Sequence, residues 1–520
     1  MDKAIGWFDW LIVAVYLGIV VLVAAWFARR QKSTEEYFVG GRTIPGWAAG
    51  LSLFGSAIST TTFLAYPGDG FGGNWINLLP GIMLPIAIVL VAFVILPFYR
   101  NIVKMTAYEY LEKRFGYGAR GYAAFIYLLF NFFRMAFILF LASKAIHAMT
   151  DWDIQAIIIV AGIATIIYTV IGGVEAVIWT DVLQSIVLLG GGVLCAGILL
   201  FTPEDGPGRV FEIAIDANKF KLADLSLDLT RPTILVMVLF GLSSYLDAYV
   251  GHQHCVQRYL TVPTTRKAQK GLWLGTIICL LTWTLFIFIG TLLYCYYNIY
   301  PDQLPADIAD QQDKVFPYFV MTRLPMGVVG LILAAMIAAA MSSLDTTINT
   351  TSMVSVYDFY VYFRPQTSDY QRLVLAKVAT CVWGIAGTAL ALSMIGVKEA
   401  LDFSYHVFNV LGGGLLGIFL LAFFARRAHA RGIYVGLVCG ILMSTWGVLN
   451  KLGELGLPLP EFYENIKYPW HNYTLMAVSN LISFTVGYIA SLILPDTSGR
   501  DPAGLTVWDM RKGRSIGIRV

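Results

Sequence analysis

The stretch Gly55-Ser-Ala-Ile-Ser-Thr-Thr-Thr62 places hydroxyls and small residues in the middle of an apolar segment, Trp47 to Gly73, that is long enough to cross a membrane. A second apolar segment, Pro232 to Leu260, contains the similar polar run Gly241-Leu-Ser-Ser-Tyr-Leu-Asp247. Backbone groups released by a helix break in hydrocarbon need partners, so such breaks persist only where they face protein, an ion or a cavity. Two broken helices at matching positions of two halves are typical of the binding site of a secondary transporter.

The composition indicates a membrane protein built from many spans. Hydrophobic residues make up 58% and charged residues 13% of the 520 residues, whereas soluble proteins carry about 25% charged residues. A span needs about 20 apolar residues. The sequence predicts thirteen, near residues 8–28, 46–70, 76–99, 121–148, 153–171, 177–201, 232–252, 270–296, 326–356, 373–395, 401–425, 432–450 and 472–495. The six cysteines have neither metal-type nor disulfide-type spacing, and we expect them to be apolar packing residues.

Lysine and arginine are concentrated in alternate loops, which sets the orientation. The richer loops fall in 29–42, 100–120, 258–270, 364–377 and 426–431. Loops rich in these residues are cytoplasmic. With thirteen spans, this predicts an inner (plasma) membrane protein whose N-terminus is outside and whose C-terminus is cytoplasmic.

The spans divide into two groups of five, each beginning with an interrupted helix. Because five is odd, the second group must run inverted in the membrane relative to the first. We therefore expect an all-α multi-span protein with a five-plus-five inverted repeat and discontinuous helices at 46–70 and 232–252. Its parts are an extra first span and loop (1–45), the first repeat (46–202), the inverted repeat (231–425), two additional spans (426–496) and a cytoplasmic tail (497–520). The alternative is a bundle whose small residues only allow helices to pack closely.

Four runs of sequence together resemble the solute:sodium symporter family. They are Tyr37-Phe-Val-Gly-Gly-Arg42, Gly46-Trp-Ala-Ala-Gly50, Gln253-His-Cys-Val-Gln-Arg-Tyr-Leu260 and Ala339-Ala-Met-Ser-Ser-Leu-Asp345. The resemblance extends from about residue 8 to 495. It implies the LeuT-type fold and sodium-driven uptake of a small solute.

A sodium site can be argued from oxygen chemistry. Sodium is a hard cation that prefers oxygen ligands, by extension from calcium and magnesium, and an unwound helix offers free carbonyls. Ser342 and Ser343 add adjacent hydroxyls within an apolar span. The family resemblance implies that these hydroxyls hold the main sodium (Na+) together with the carbonyls of Gly55, Ile58 and Ala339. Alternatively, both hydroxyls bond back to carbonyls of the preceding helical turn.

The ionisable residues within predicted spans include Arg134, Asp181, Asp247 and Asp345. Charges in a membrane interior are costly and face a cavity or a partner. Some family members have a second sodium site, and Asp181, Asp345 and Thr346 match its positions, although Asp345 is a carboxylate where those members carry a hydroxyl. Two alternatives remain open: the carboxylates carry protons, or Asp181 pairs with a base of a cytoplasmic loop.

Arg134 lies in the middle of the fourth predicted span. Its guanidinium is always charged and forms forked bonds to carboxylates. It either binds an anionic substrate or pairs with a span carboxylate such as Asp247.

The sialic-acid transporters of the family have an arginine at the position of Arg134 that contacts the substrate carboxylate. Ser59 and Thr62 also match substrate contacts of that branch. Three further positions depart from it, because Ala57, Asn77 and Gly81 stand where a threonine, an aromatic residue and a glutamine are expected.

The sequence thus favours a sodium-coupled symporter for a small hydroxylated solute, with sialic acid or a related sugar acid as the best candidate. A neutral sugar or other small metabolite, and proton coupling, are alternatives. An intramembrane enzyme would need a carboxylate or histidine pair at a membrane face, and a sensor would need an output domain; we identify neither. The expected partners are the solute, sodium ions and the lipid bilayer, with no nucleic acid and no catalytic activity.

Overall fold

The computed structural model describes residues 5–396, 407–408, 410–454, 467–496 and 499–510. Over this part of the chain all regular secondary structure is helical. The α-helices are α1 Trp7–Ala28, α2 Thr34–Val39, α3 Gly46–Ala57, α4 Thr60–Gly72, α5 Leu79–Ile82, α6 Leu84–Leu90, α7 Leu96–Ile102, α8 Tyr108–Phe115, α9 Tyr117–Thr150, α10 Ile154–Phe201, α11 Gly206–Asp216, α12 Ile234–Gly251, α13 Gln253–Thr261, α14 Thr265–Ile299, α15 Ala306–Ala309, α16 Gln312–Arg323, α17 Val328–Val354, α18 Val361–Phe363, α19 Asp369–Ser393, α20 Leu415–Phe424, α21 Ala430–Glu454, α22 Leu475–Ile493 and α23 Val507–Met510. Short 3-10 turns (Gly40–Arg42, Trp75–Leu78, Pro301–Gln303, Asn472–Thr474) and π turns (Val91–Ile95, Ser355–Tyr360) complete the set.

Within the described ranges, ten helices are long and apolar enough to cross a membrane, and the bent pair α3 and α4 makes eleven. The predicted spans 153–171 and 177–201 are joined without a loop in α10, whose helical geometry is interrupted at Gly173 (φ 58°, ψ −162°). The predicted span 401–425 begins outside the described residues, and its described part contains α20, which is only 10 residues long. Thirteen spans in a five-plus-five repeat therefore stay a prediction.

The first discontinuous helix lies where the sequence predicts it. α3 ends at Ala57, Ile58 is extended (φ −94°, ψ 123°), and Ser59 is extended as well. The axes on the two sides of this break differ by 62°. The break frees the carbonyls of the last turn of α3 from intrahelical bonds, so these oxygens can accept bonds from other helices inside the bundle.

The second break is real, but its predicted position is wrong. The polar run from Gly241 to Asp247 is helical, and the chain leaves helical geometry only at His252 (φ −88°, ψ 129°), between α12 and α13. Gly241 serves packing instead, because a Cβ there would lie 2.7 Å from the carbonyl oxygen of Pro80. The Ser243 hydroxyl donates to the Leu239 and Phe240 carbonyls of its own helix, at 2.7 and 3.1 Å.

Helix α14 packs along both halves of the first broken helix through paired glycines. A Cβ on Gly50 of α3 would lie 2.2 Å from the Gly271 carbonyl oxygen, and one on Gly290 would lie 2.2 Å from the Pro67 carbonyl oxygen of α4. Such approaches are possible only without side chains. Helix α14 thus holds α3 and α4 on one continuous surface despite the break between them.

Two sets of contacts fix which ends of the helices lie together. The Asp9 carboxylate at the start of α1 accepts hydrogen bonds from the backbone amides of Gly327 (2.7 Å) and Gly330 (2.8 Å) at the start of α17. At another face, the Tyr110 hydroxyl of α8 donates to the Leu505 carbonyl of the tail at 3.0 Å. The two long helices α1 and α17 therefore begin on the same side, and the tail packs on α8.

Candidate sodium and solute site

The five residues expected at the main sodium site meet at the break between α3 and α4. The Ser342 hydroxyl of α17 donates to the Gly55 carbonyl at 3.0 Å and to the Ala339 carbonyl at 3.3 Å. The Ser343 hydroxyl donates to the Ile58 carbonyl at 3.1 Å. All five residues are buried.

This arrangement offers five neutral oxygens from two helices. Only the bond from Ser342 to Ala339 follows the alternative of back-bonding within one helix; the other two bonds cross from α17 to the broken helix. Because hydroxyl hydrogens rotate, the same oxygens can instead turn their lone pairs toward a cation. A sodium ion at this position would hold the end of α3 against α17.

One turn further along α17, a buried guanidinium joins the residues expected at the second site. The Arg258 Nη2 donates to the Thr346 Oγ1 at 2.7 Å and lies 3.7 Å from the Asp181 carboxylate. Its Nε donates to the Ser52 hydroxyl at 3.0 Å, and that hydroxyl donates to Asp181 at 2.5 Å. Only 1% of the surface of Arg258 is exposed.

The sequence predicts that Arg258 lies in a cytoplasmic loop, but in the structure it is a buried helical residue. Arg258 lies in α13, every residue of which is buried, and it pairs with Asp181. Pairing of Asp181 with a base of that segment was the alternative left open above. Sequence offers one signal for this pair, because carboxylates within spans need a buried cation or proton to offset their charge.

Asp345 faces a different neighbour. One of its carboxylate oxygens accepts a hydrogen bond from the Tyr168 hydroxyl at 2.7 Å, and the other accepts one from the Thr346 backbone amide at 2.5 Å. Tyr168 precedes the Gly173 kink of α10 and Asp181 follows it, so α10 brings residues from both sides of its kink to this region of α17.

Arg134 contacts the end of the broken helix. Its Nη2 donates to the Ser56 carbonyl at 3.0 Å, three residues before Ser59. Asp247 pairs instead with His252, whose Nε2 lies 3.0 Å from the carboxylate. Within the described part of the chain Arg134 has no ion pair, so the proposed alternative of an Arg134–Asp247 pair is not what the structure contains.

The other predicted solute contacts are distributed around the break. Ser59 and Thr62 begin α4, and Ala57, which ends α3, is exposed. Asn77 lies in the 3-10 turn Trp75–Leu78, which follows α4 and is separate in sequence from the break at Ile58. Gly81 faces the ring of Trp283, which a Cβ would approach to 2.9 Å, so this position has no room for a glutamine.

Comparison with known proteins gives a consistent result. A sodium/sialic acid symporter of Proteus mirabilis is 32% identical over 442 residues, covering 84% of this chain and 88% of the relative. A sodium/sialic acid symporter of Aliivibrio fischeri is 31% identical over 448 residues, covering 85% and 88%.

Solved structures agree with these relatives. A sodium-coupled sialic acid symporter in a substrate-bound outward-open state superposes with a TM-score of 0.85 at 28% identity, covering 94% of this chain and 99% of that one. The nucleobase-cation symporter Mhp1, at 13% identity and a TM-score of 0.57, shares the LeuT-like fold alone. The model of the sodium:solute symporter family matches residues 37–440, and the chain belongs to that family.

Proposed function

We propose that this protein is a sodium symporter that imports sialic acid or a related sugar acid. The observation that carries the substrate class is Arg134, a guanidinium at the break between α3 and α4 that has no ion pair within the described chain. A charged group in a membrane interior needs a counter-charge, and a bound carboxylate supplies one in a forked geometry. Both bacterial relatives described above are sodium/sialic acid symporters, which supports the same solute.

We assign the main sodium to the oxygens of Gly55, Ile58, Ala339, Ser342 and Ser343. The hydroxyl-to-carbonyl bonds between α17 and the broken helix support this assignment, because they gather neutral oxygens, the ligand type that a hard cation prefers. Sodium bound there links the end of α3 to α17. The residues proposed to contact the solute, Ser59 and Thr62, lie just before and within the first turn of α4. An ion that orders the break therefore also orders the solute site.

We assign a second cation to Asp181, Asp345 and Thr346. The structure of the sodium-coupled sialic acid symporter is described as revealing a novel sodium site, which supports a second ion in this branch. The competing possibility is a proton carried by the two carboxylates. Uptake driven by a pH gradient without sodium would decide for the proton.

The proposed topology is thirteen spans in the plasma membrane, with the N-terminus outside and the C-terminus cytoplasmic. The parallel start of α1 and α17 supports it, because the first and ninth predicted spans should run in the same direction. The loop after α10 also reaches the end of α4, where the Lys219 ammonium donates to the Phe71 and Gly73 carbonyls at 2.6 and 3.0 Å. Both segments should lie outside.

The substrate proposal is tested with Arg134→Lys in proteoliposomes. An ammonium keeps the charge but loses the fork, and losing a partner in a desolvated charged pair costs about 2–5 kcal/mol. We expect the mutation to weaken sialic acid binding by about thirtyfold or more, while leaving binding of the carboxyl-reduced analogue nearly unchanged. Arg364→Lys, at an exposed position, is the control for expression and insertion.

Two results would redirect the proposal. Equal discrimination between acid and analogue in wild type and mutant would show that Arg134 reads no carboxylate, and a neutral sugar would become the favoured solute. Sodium-independent binding of every solute tested would contradict the assignment of the sodium site.

A further inference from the structure

Four arginines converge on one cavity where the end of α20, the start of α21, the end of α22 and the tail meet. The cavity has a volume of about 300 Å³ and is lined by Arg114, Arg426, Arg427 and Arg500 among others. By the proposed topology it opens at the cytoplasmic membrane surface. It lies far along the chain from the residues assigned to sodium and solute.

Among the described residues that line this cavity, arginines outnumber carboxylates. Asp496 lines it, and Asp509 lies 3.5 Å from Arg426. Four guanidinium groups thus face two carboxylates. The surplus of positive charge favours an anionic ligand.

Arg114 gives a second, independent indication of an anion. Only 4% of its surface is exposed, and its Nη2 donates to the carbonyls of Ala425 (2.8 Å) and Arg426 (3.1 Å). Its Nε is buried and has no hydrogen-bond partner among the residues that the structure describes. Burial lowers the pKa of Arg114, which reflects a charge that the protein solvates incompletely. A buried donor without an acceptor is costly, and an oxyanion in the cavity that Arg114 lines would supply the acceptor.

An adjoining cavity of about 520 Å³ shares Arg426 and Arg427 with the first. Its other walls are mainly apolar and include Phe484 and Tyr488, which are one helical turn apart on α22, and Trp508 of the tail. From the two arginines, this wall follows α22 away from its end at Ile493, toward the centre of the membrane. A basic cavity at the membrane surface that continues into an apolar one matches a lipid headgroup joined to an acyl chain.

We propose that these two cavities bind one anionic phospholipid, with its phosphate between the four arginines and an acyl chain along Phe484 and Tyr488. This site is separate from symport. It gives α21, α22 and the tail, which lie outside the expected repeats, the role of an anchor for lipid at the cytoplasmic surface.

The experiment measures the thermal stabilisation of the purified protein by short-chain phosphatidylglycerol in a zwitterionic detergent. The comparison ligands are phosphatidylcholine of the same chain length, glycerol phosphate and inorganic phosphate. We expect phosphatidylglycerol alone to raise the melting temperature at low concentration. Arg426→Gln with Arg427→Gln should raise its half-saturating concentration about fivefold for each arginine removed, since each basic residue contributes about 1 kcal/mol.

The matched control removes two exposed basic residues at the same predicted membrane face, Arg29→Gln with Lys32→Gln, and should leave the response unchanged. Tyr488→Ser leaves the four arginines in place and should raise the half-saturating concentration of phosphatidylglycerol. If inorganic phosphate stabilises the protein as well as phosphatidylglycerol does, the ligand is a free anion and the lipid proposal is wrong. It is equally wrong if phosphatidylcholine is as effective, or if the control pair weakens the response as much as Arg426→Gln with Arg427→Gln.

Discussion

At the scale of single residues, the hydroxyls of Ser342 and Ser343 do two things that a sodium site requires. They are buried, and each donates to a carbonyl at the break after α3, so each is held where an ion would meet oxygens of α17 and of the broken helix. Neutral oxygens bind a monovalent cation without trapping it, which turnover requires.

Ser342→Ala and Ser343→Ala each remove one of these oxygens. We expect the sodium concentration for half-maximal uptake to rise roughly tenfold in each, because a bond to a charged group contributes about 1.5–3 kcal/mol. Uptake at graded sodium concentrations measures the change. Ser143→Ala is the matched control, since that buried hydroxyl donates to the Leu139 carbonyl of its own helix. An unchanged sodium requirement in both mutants would remove the main site from this position.

The Asp181–Arg258 pair raises a question of charge during the transport cycle. A carrier that returns without its ions must keep Asp181 neutralised, and the guanidinium already lies 3.7 Å away. Sodium bound at Asp181 therefore has to compete with Arg258. Asp181→Asn removes the negative charge that would bind a second sodium ion. The Hill coefficient for sodium should therefore approach one.

Arg258→Gln should separate two modes of transport. Net uptake needs the empty carrier to return and should fall at least tenfold, whereas exchange of solute with sodium on both sides skips that step and should be retained. Arg258→Lys keeps the charge and should restore net uptake, as should the double mutant with Asp181→Asn. If net uptake and exchange fall equally in Arg258→Gln, the arginine serves folding alone.

Some of these site residues can be predicted from the sequence and others cannot, for a physical reason. Ser342, Ser343 and the break at Ile58 are found because polar groups in an apolar segment are conspicuous. Arg258 follows an apolar span near other bases, where an arginine in a loop and one folded inward look the same. Only the fold distinguishes them, since α13 follows the break at His252 and is buried along its whole length.

At the scale of helices, glycine has two uses that sequence cannot separate. At Gly55 it precedes a break, whereas at Gly241 it admits the Pro80 carbonyl against an unbroken helix. Because of this ambiguity, the sequence predicts the second break near Gly241, whereas the structure has it at His252. Along α14 the use is clear, because glycines face glycines on α3.

Gly271→Ala tests this packing. The new methyl would lie 2.0 Å from the Gly46 carbonyl oxygen, so α3 and α14 must separate. We expect a fall of several degrees in melting temperature, in line with about 1–3 kcal/mol for overpacking. Gly197→Ala is the control, because a Cβ at that position would meet no neighbouring helix within 4 Å among the described residues. An undiminished melting temperature in Gly271→Ala would contradict the close approach.

For the whole molecule, the number of ions sets how far the solute can be concentrated. With no membrane potential, a tenfold sodium gradient supports a tenfold solute gradient for one ion and a hundredfold gradient for two, because each ion contributes about 1.4 kcal/mol. We expect proteoliposomes with wild-type protein to exceed tenfold accumulation at zero potential and Asp181→Asn to stop near tenfold. Wild-type accumulation that never exceeds tenfold would limit the protein to one ion.

Hydropathy predicts the class of the molecule and most spans, because apolar length is a property of local sequence. It separates the spans 153–171 and 177–201 but does not reveal that they are joined without a loop, through a break at Gly173 within α10. Whether the number of spans is odd or even depends on how such breaks are counted, and the predicted orientation of the termini depends on that number.

The bond from Asp9 to Gly330 joins residues 321 positions apart. A ribosome adds about 5–20 residues per second, so the first helix is made roughly 16 seconds or more before its partner. Until then the carboxylate can accept a hydrogen bond from the Gly6 amide at the start of its own helix, at 3.0 Å, but not those from Gly327 and Gly330. Burying a charge with so few partners in lipid is costly. The first helix to be synthesised is thus among the last to reach its final packing. During biogenesis the start of α1 has to stay near water, or beside an assisting protein, until α17 has been synthesised.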